Sequence, residues 1–295
     1  MPVNYSAVIQ AKVGAMFRHV IVGVDGGPTG ADAVALAKLL VAQDGELGLA
    51  HVYELTPYRG ASGAYGPTEH AASVALLEQV RESAGVDAEL IDITASSVGR
   101  GLHYLSETRE ADLLVVGSSA QGLVGRVLVG DITRAALIGA PCAVAVAPMG
   151  HAAAGGALAK IGVGYDGTPE CEEALALARE LASIHGASVS VMTVVEPSAV
   201  AGLLRTADEA DYAEELADAR AALDKLDGVE RQVVLGWAGE ELASFGEHVD
   251  LLIVGSRAYG PIRRLMFGGV ATHLASNAPC PLVVLPRLDD GAGES

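Results

Sequence analysis

The sequence predicts an α/β fold made of two tandem, open, doubly wound parallel sheets of five strands each, flanked by helices. Short runs of Val, Ile and Leu alternate with segments of helical periodicity, which is the pattern of βαβ units around a parallel sheet. This alternation occurs twice along 295 residues, a length that allows two domains with their own cores. Hydrophobic residues make up 51% of the chain and aromatic residues only 4%, a composition that suits small helices packed on valine-rich strands.

The duplication is visible in four pairs of matched blocks. The pairs are 19–26 with 161–167, 33–38 with 174–179, 112–118 with 250–256, and 140–148 with 278–286. The offset between copies is 141 residues from Asp25 to Asp166 and 138 residues from Gly117 to Gly255. An offset this stable over distant blocks indicates duplication of one domain. The difference falls in the middle of the copies, where the first has a Gly/Pro/Tyr-rich loop at 56–70.

The elements of the first copy follow from this alternation. We expect strands near 19–24, 46–53, 87–93, 112–117 and 142–147, and helices near 30–43, 69–84, 99–110 and 125–139. The expected organisation is a disordered extension of 1–15, a first domain of 16–149, a linker of 150–159, a second domain of 160–287 and a flexible tail of 288–295.

Charge and cysteine content exclude several classes of function. The formal net charge is −18, so nucleic acids and anionic membrane surfaces are poor partners. No apolar run approaches the ~18 residues of a membrane span. Cys142, Cys171 and Cys280 are too few and too scattered for a disulfide framework, which predicts a reducing, cytoplasmic location. We expect all three to be small buried core residues.

Motifs for catalysis and metal binding are absent from the sequence. There is no Gly-x-x-x-x-Gly-Lys-Ser/Thr phosphate loop, and the segment 117–121 fails the Gly-x-Ser-x-Gly pattern at its last position. The eight histidines form no His-x-x-x-His pair or Cys/His cluster. The sequence therefore predicts no enzyme activity, no catalytic residue and no metal site.

One crevice in each copy is the candidate ligand site. If the strand order is 3-2-1-4-5, the order reverses between the first and fourth strands, where open α/β sheets bind ligands. Asp25 and Asp166 end the first strands, whereas Gly117 and Gly255 end the fourth. The carboxylates can accept hydrogen bonds from ribose hydroxyls, and the glycine turns can bring N–H groups against phosphate. Each Asp can equally be a strand-end turn or helix-capping residue, and each Gly an ordinary tight turn.

The fourth-strand motif makes the chain resemble the universal stress protein family. In that family the strand ends in Gly-x-x-Gly, followed by nine residues and Gly-Ser/Thr, and the nucleotide-binding members hold ATP phosphates there. The first copy has Gly117-Ser-Ser-Ala120, nine residues and Gly130-Asp131, and the second has Gly255-Ser-Arg-Ala258, nine residues and Gly268-Gly269. The resemblance covers nearly all of 16–287.

The resemblance implies an adenine nucleotide α-hydrolase-like, Rossmann-like fold and a site for ATP. It also implies that adenine contacts the backbone near Val52 and Val194. The implied binding residues are Asp25, Val52, Gly117 and Gly130 in the first copy, and Asp166, Val194, Gly255, Arg257, Gly268 and Gly269 in the second.

Several residues depart from the family motif at the phosphate contacts. Ala120 and Ala258 replace the second glycine, at a cost of about 1–2 kcal/mol if that position is left-handed. Asp131 places a carboxylate near phosphate. Repulsion between the two charges at about 4 Å costs on the order of 4 kcal/mol of binding free energy at an effective dielectric constant near 20, unless Mg²⁺ bridges the two. Gly269 lacks the motif's hydroxyl. Because the second copy also offers Arg257 and the pair Arg263–Arg264, we expect its site to bind ATP better.

Three functions remain open on these residues. The first is a non-enzymatic, adenine-nucleotide-responsive stress protein, and the second is a family member that binds no nucleotide and acts as an interaction scaffold with unknown protein partners. The third, a weak ATPase, has little support. Because family members pair through their last strands, we also expect an internal pseudo-dimer through 142–147 and 280–285, which leaves room for a homo-oligomer.

Overall fold

The structure, a computed structural model, describes residues 16–54, 66–118, 131–198, 209–256 and 268–286. The expected N-terminal extension 1–15 and the tail 288–295 lie outside these ranges.

Each half of the described chain alternates strands with helices, as the sequence pattern predicts. The first half contains β1 (Phe17–Gly23), α1 (Pro28–Leu40), β2 (Val41–Glu54), α2 (Pro67–Ala84), β3 (Glu89–Ala95), α3 (Val98–Thr108), β4 (Leu113–Gly117), α4 (Asp131–Leu137) and β5 (Ala143–Ala147). The second half contains β6 (Lys160–Gly164), α5 (Pro169–His185), β7 (Ser188–Val195), α6 (Ala213–Leu223), β8 (Glu230–Leu235), α7 (Ala238–Phe245), β9 (Leu251–Gly255), α8 (Gly269–Asn277) and β10 (Leu282–Leu285). Short 3₁₀ turns precede α6 and follow α7.

The strands form one ten-stranded sheet in the order β3-β2-β1-β4-β5-β10-β9-β6-β7-β8. Within each half the order is the predicted 3-2-1-4-5, and all pairs inside a half are parallel. The two five-stranded sheets expected from the sequence are therefore confirmed, but they join edge to edge instead of standing apart.

An antiparallel pair joins the two halves. In it Val283 of β10 lies opposite Ala145 of β5, and both residues are fully buried. The junction satisfies the backbone N–H and C=O groups of two strand edges that would otherwise be exposed. It confirms the expected internal pairing through the last strands.

Two cores lie on opposite faces of this sheet. On one face α1, α2, α5 and α6 cover residues such as Val20 and Val22, and on the other α3, α4, α7 and α8 cover residues such as Ile21. Successive residues of a strand point to opposite faces, so one continuous apolar strand supplies both cores. Within the described ranges, none of the helices combines the length and the apolar character that crossing a membrane requires.

The first helix ends earlier than the sequence pattern predicts. The prediction ran to residue 43, but α1 stops at Leu40 and β2 begins at Val41, which pairs with Phe17 at the start of β1. The register then shifts, so that His19 lies opposite Glu46. Pairing with β1 draws this β-branched residue and its neighbours into the sheet, where tertiary contacts override local helical periodicity.

Paired aspartates fix the first and fourth strands at their amino ends. The Asp112 carboxylate accepts hydrogen bonds from the N–H groups of Arg18 and His19 at 3.0 and 2.9 Å. Asp250 accepts two equivalent bonds from Ala159 and Lys160, both at 2.8 Å. These bonds hold β1 beside β4 and β6 beside β9 at the end opposite the candidate crevices.

The segment between the halves is held against α1. Asp32, which is 2% exposed, accepts hydrogen bonds from the N–H groups of Gly150 and Ala152, both at 2.8 Å. His151 between them is also buried, and this burial lowers its pKa against the opposing pull of the Asp32 charge. The linker therefore belongs to the packed structure and couples the first helix to the second half.

Cleavage of the linker should leave the halves associated. A protease site inserted between Gly155 and Gly156, next to the exposed residues 152–155 and between the buried His151 and Leu158, should be cut without separating the β5–β10 pair. Gel filtration should show one species of the original size. The same cleaved protein with Val283→Asp, which puts a charge into a fully buried strand, should separate. Release of half-size species from the cleaved parent would contradict the joint.

Candidate functional site

Each candidate crevice forms where the start of a helix approaches the end of the fourth strand. A Cβ added to Gly117 would lie 2.2 Å from the carbonyl oxygen of Thr29 in the first turn of α1. A Cβ added to Gly255 would lie 2.7 Å from the Cβ of Glu170 in the first turn of α5. Because β1 lies directly beside β4, and β6 beside β9, the aspartate that follows each first strand and the glycine that ends each fourth strand lie at the same edge of the sheet.

Asp25 organises the turn between β1 and α1. Its Oδ1 accepts a hydrogen bond from the N–H of Gly27 at 2.9 Å, and the Thr29 hydroxyl approaches Oδ2 at 3.5 Å. Gly26 takes the left-handed conformation with φ 76°, which favours glycine. The Asp25 side chain remains exposed. It is thus a turn-forming residue whose carboxylate also faces solvent at the crevice.

Asp166 makes a more extensive set of bonds in the second half. Its Oδ1 accepts hydrogen bonds from the N–H and the hydroxyl of Thr168 at 3.2 and 2.7 Å, and from the Cys171 thiol at 2.9 Å. Burial and the bond to Asp166 raise the pKa of Cys171 to about 12, so this thiol stays protonated. The turn is therefore held more tightly here than in the first half.

Thr29 and Glu170, here called the lip residues, were missed by sequence reasoning. They are separated by the repeat offset of 141 residues, and they approach Gly117 and Gly255 respectively. Thr29 is neutral and only 9% exposed, whereas Glu170 is a carboxylate of intermediate burial. Aligning the repeats could have shown that the two residues differ, but only the folded chain shows that both stand at the crevice.

The lip of the second crevice carries further acidic charge. Glu173 lies one turn along α5, and its partial burial, together with the charge of Glu170, raises its pKa to about 7. On the preceding strand end, the Tyr165 hydroxyl donates a hydrogen bond to Glu172. Burial and this bond raise the pKa of Tyr165 to about 12. The described part of the second crevice is therefore more acidic than that of the first.

The valines predicted from the resemblance lie on the second strand of each half. Val52 is 7% exposed, and Gly101 of α3 packs so closely on it that an added Cβ would lie 2.5 Å from its Cγ1. Val194 is partly buried against the same face of the sheet. Both side chains belong to the core, so only their backbone could contact a ligand.

The remaining predicted site residues divide into described and undescribed groups. Gly268 is the N-cap of α8, and its carbonyl oxygen accepts a hydrogen bond from the N–H of Thr272 at 3.0 Å. Among the described residues, apart from its chain neighbours and its own helix backbone, no atom lies within 4 Å of a Cβ added to Gly269. The helix α7 packs closely on α8 and so holds it in place, because Gly239 of α7 lies against His273 of α8. Residues outside the described ranges are Gly130, Arg257, Ala120, Ala258, Arg263 and Arg264.

Among the described residues there is neither an exposed, reactive thiol nor a cluster of metal-binding side chains. All three cysteines are buried, as predicted, and burial raises the pKa of Cys142 and Cys280 to about 12. In the described parts of the chain, no three His, Cys, Asp or Glu side chains are placed to hold a metal ion. The geometry supports ligand binding through backbone groups and single carboxylates.

Three alanine substitutions should rank the close contacts. Gly117→Ala forces a Cβ against a backbone carbonyl and should lower the free energy of unfolding by about 3 kcal/mol. Gly255→Ala meets a side-chain carbon instead and should cost about 1 kcal/mol. Gly269→Ala meets no other atom of the described residues and should stay within about 0.5 kcal/mol of the parent. Urea unfolding measures all three, and equal effects at residues 117 and 269 would contradict the contact.

Replacing Glu173 should change the pH dependence of stability. Because the pKa of Glu173 is raised, its contribution to stability is fully present below the ordinary glutamate value of 4.5 and is lost as the pH rises through about 7. Glu173→Gln should therefore raise the free energy of unfolding at pH 8 by on the order of 1 kcal/mol, discounted because the side chain is half solvated. At a pH of about 4, below both the ordinary and the raised pKa, the variant and parent should match. An equal gain at both pH values would rule out titration as the cause.

Comparison with known proteins identifies the family. The model of the universal stress protein family matches residues 16–148 and 158–286. A universal stress protein of Mycobacterium tuberculosis is 29% identical over 206 residues, which cover 64% of this chain and 69% of the relative. One of Thermus aquaticus is 29% identical over 134 residues, 41% of this chain and 93% of that protein.

Solved structures show the same fold. The crystal structure of a universal stress protein from Archaeoglobus fulgidus aligns with a TM-score of 0.66 at 16% identity, covering 90% of this chain and 97% of that one. A universal stress protein structure from Pseudomonas aeruginosa gives 0.65 at 16% identity, covering 93% and 95%. With both halves matched by the family model, the chain belongs to the universal stress protein family as a tandem of two such domains.

Proposed function

We propose that this chain is a non-enzymatic, cytoplasmic stress-response protein that binds an adenine nucleotide, and that occupancy of a crevice alters its shape or its partners. The observation that carries the proposal is the meeting of a strand-end aspartate and a fourth-strand glycine at one crevice mouth in each half. Membership of the universal stress protein family supports it.

The helix starts at the crevices favour a phosphate ligand. The N-cap residues of α1 and α5, Gly27 and Thr168, make no side-chain capping bond to their helices. The amino end of each helix carries a partial positive charge and N–H groups suited to an anion. An exposed aspartate beside it can accept hydrogen bonds from ribose hydroxyls, so phosphate and ribose would each meet a suitable group.

The residues around the two crevices differ, and the differences have opposite effects on the affinity for ATP. The arginines of 257–264 favour the second crevice, which remains our prediction for the better ATP site. Glu170 acts against it, because a like charge about 4 Å from a phosphate costs about 1 kcal/mol even in water-like surroundings. Mg²⁺ bound between this carboxylate and a phosphate would reverse that sign, so we propose that the second site requires the metal and that the first requires it less.

The departures from the phosphate motif favour one alternative. Ala120 and Ala258 replace the second glycine of the motif. Gly269 stands where the motif has Ser or Thr, so the hydroxyl of that residue is missing. A chain that binds no nucleotide and acts as an interaction scaffold would tolerate all three changes. Small molecules released on denaturing the purified protein, identified by mass spectrometry, separate this alternative from nucleotide binding.

Exchanging the lip residues should exchange the properties of the crevices. We expect Glu170→Thr to tighten ATP binding in the absence of Mg²⁺ by roughly fivefold, and Thr29→Glu to weaken binding at the first crevice by a similar factor. Isothermal titration calorimetry with and without Mg²⁺ measures both.

Aspartate variants assign the sites in the same titration. Asp166→Ala should lower the affinity of the tighter site about tenfold to a hundredfold, as loss of a hydrogen bond to a polar ligand group predicts. Asp25→Ala should affect the weaker site. If Asp166→Ala leaves ATP binding intact while Asp25→Ala abolishes it, the ranking is wrong. If neither variant matters, the crevices are not the site.

A further inference from the structure

Trp237 is the single tryptophan of the chain, and it remains 42% exposed to solvent. It lies two residues after β8 ends at Leu235 and is the N-cap of α7. Within the described part of the chain, its side chain makes no capping bond to that helix. Large aromatic side chains that are neither buried in the core nor used for capping are typical of contacts with ligands or partners. Trp237 is therefore a candidate contact residue.

The first half carries a different residue at the equivalent position. Ser97 is the N-cap of α3 and also follows its strand by two residues, because β3 ends at Ala95. The Ser97 hydroxyl oxygen accepts a hydrogen bond from the N–H of Arg100 at 3.4 Å, which is the ordinary role of a serine at this position. The second copy thus has an indole ring where the first has a helix cap.

Trp237 lies at the same edge of the sheet as the second crevice. The parallel strands β9, β6, β7 and β8 are neighbours in that order, so Gly255, Asp166, Val195 and Trp237 stand at or just beyond four successive strand ends. The N–H of Gly236 donates to the carbonyl of Val195 at 3.0 Å, which continues the pairing up to the residue before Trp237. Because neighbouring strands are ~4.8 Å apart, the two strand spacings between Asp166 and Trp237 amount to about 10 Å along the edge.

The charges around Trp237 favour an uncharged ligand group. Glu196 Oε1 accepts a hydrogen bond from the N–H of Ala238 at 3.0 Å, so a carboxylate already occupies the start of α7. Glu240 and Glu241 add acidic charge in the first turn of the same helix. These carboxylates repel a phosphate group, whereas a neutral heterocyclic base experiences no such repulsion. The ligand group that Trp237 meets is therefore a base and not a phosphate.

A nucleotide lying along this edge has one favourable direction. Under the function proposed above, its phosphates belong near Gly255 and the start of α5, and its ribose belongs at Asp166. The base then lies one strand further along, over the end of β7, where Val195 is only partly buried. Trp237 follows the next strand, β8, and borders the base on its far side. The order of phosphate, ribose and base thus matches the order of the strand ends.

We propose that Trp237 is the base-stacking residue of the second crevice and makes that crevice selective for nucleotides that carry a purine. The inference rests on the nucleotide binding proposed above and adds which part of the ligand the second half recognises. Stacking uses the π-face of the base and not its hydrogen-bonding pattern, so adenine and guanine stack on Trp237 alike, whereas a pyrimidine offers a smaller face. The first crevice, which has Ser97 at this position, recognises the base without an aromatic wall.

The fluorescence of the single tryptophan tests the contact directly. Titration of the full chain with ATP should quench Trp237, with a dissociation constant that isothermal titration calorimetry also finds. Inorganic tripolyphosphate, which has the phosphates without a base, should leave the fluorescence unchanged, and free N-acetyltryptophanamide corrects for light absorbed by ATP. ATP that binds by calorimetry without changing the fluorescence would overturn the stacking role and leave the proposed function intact. Absence of ATP binding in both measurements would reject the two together.

Two variants and a control measure what the ring contributes. Trp237→Ser, which gives the second copy the residue of the first, should weaken ATP binding at the second crevice roughly tenfold to a hundredfold, the effect of one lost base stack. It should leave the affinity for tripolyphosphate unchanged. Trp237→Phe keeps an aromatic face and should retain most of the affinity for ATP. Tyr104→Ser removes an aromatic residue of α3 that is 61% exposed and should change neither affinity.

Three results in the Trp237→Ser variant would contradict the proposal. An unchanged affinity for ATP would show that no base stacks on the ring. An equal loss of affinity for ATP and tripolyphosphate would show that the ring supports the structure of the crevice without contacting the base. Dissociation of an oligomer in gel filtration, with the affinity for ATP unchanged, would make Trp237 a contact between copies of the chain.

Discussion

The close approach of the first helix of each half to the end of the fourth strand is the contact on which the candidate sites depend. It requires a residue without a side chain at Gly117 and at Gly255. At the other end of the same strands, Asp112 and Asp250 clamp the amino ends of β1 and β6. Each first strand is thus held close to the fourth at both ends, and the candidate crevice lies above the glycine, where the strand order reverses.

The two halves share this frame but have diverged in the residues around it. At equivalent positions of the two copies, Thr29 corresponds to Glu170, and Asp32 corresponds to Glu173. Asp32 binds the backbone of the linker, whereas Glu173 titrates near neutrality beside Glu170. Duplication therefore preserved the backbone of the crevice, while the charges around it became specific to each copy.

The amino-acid pattern was sufficient for the duplication and for the alternation of strands and helices, because both can be read from local periodicity and repeated blocks. The strand order 3-2-1-4-5 was assumed at that stage, and placing Asp25 and Gly117 at one crevice depended on it. The same pattern misplaced the end of the first helix, because Val41 is drawn into the sheet by its partner Phe17. The positions of Thr29 and Glu170 at the crevices came only from the folded chain. Each of these side chains acts on a residue far away in sequence, and a hydrogen bond or charge contact across elements leaves no periodic trace in the chain that forms it.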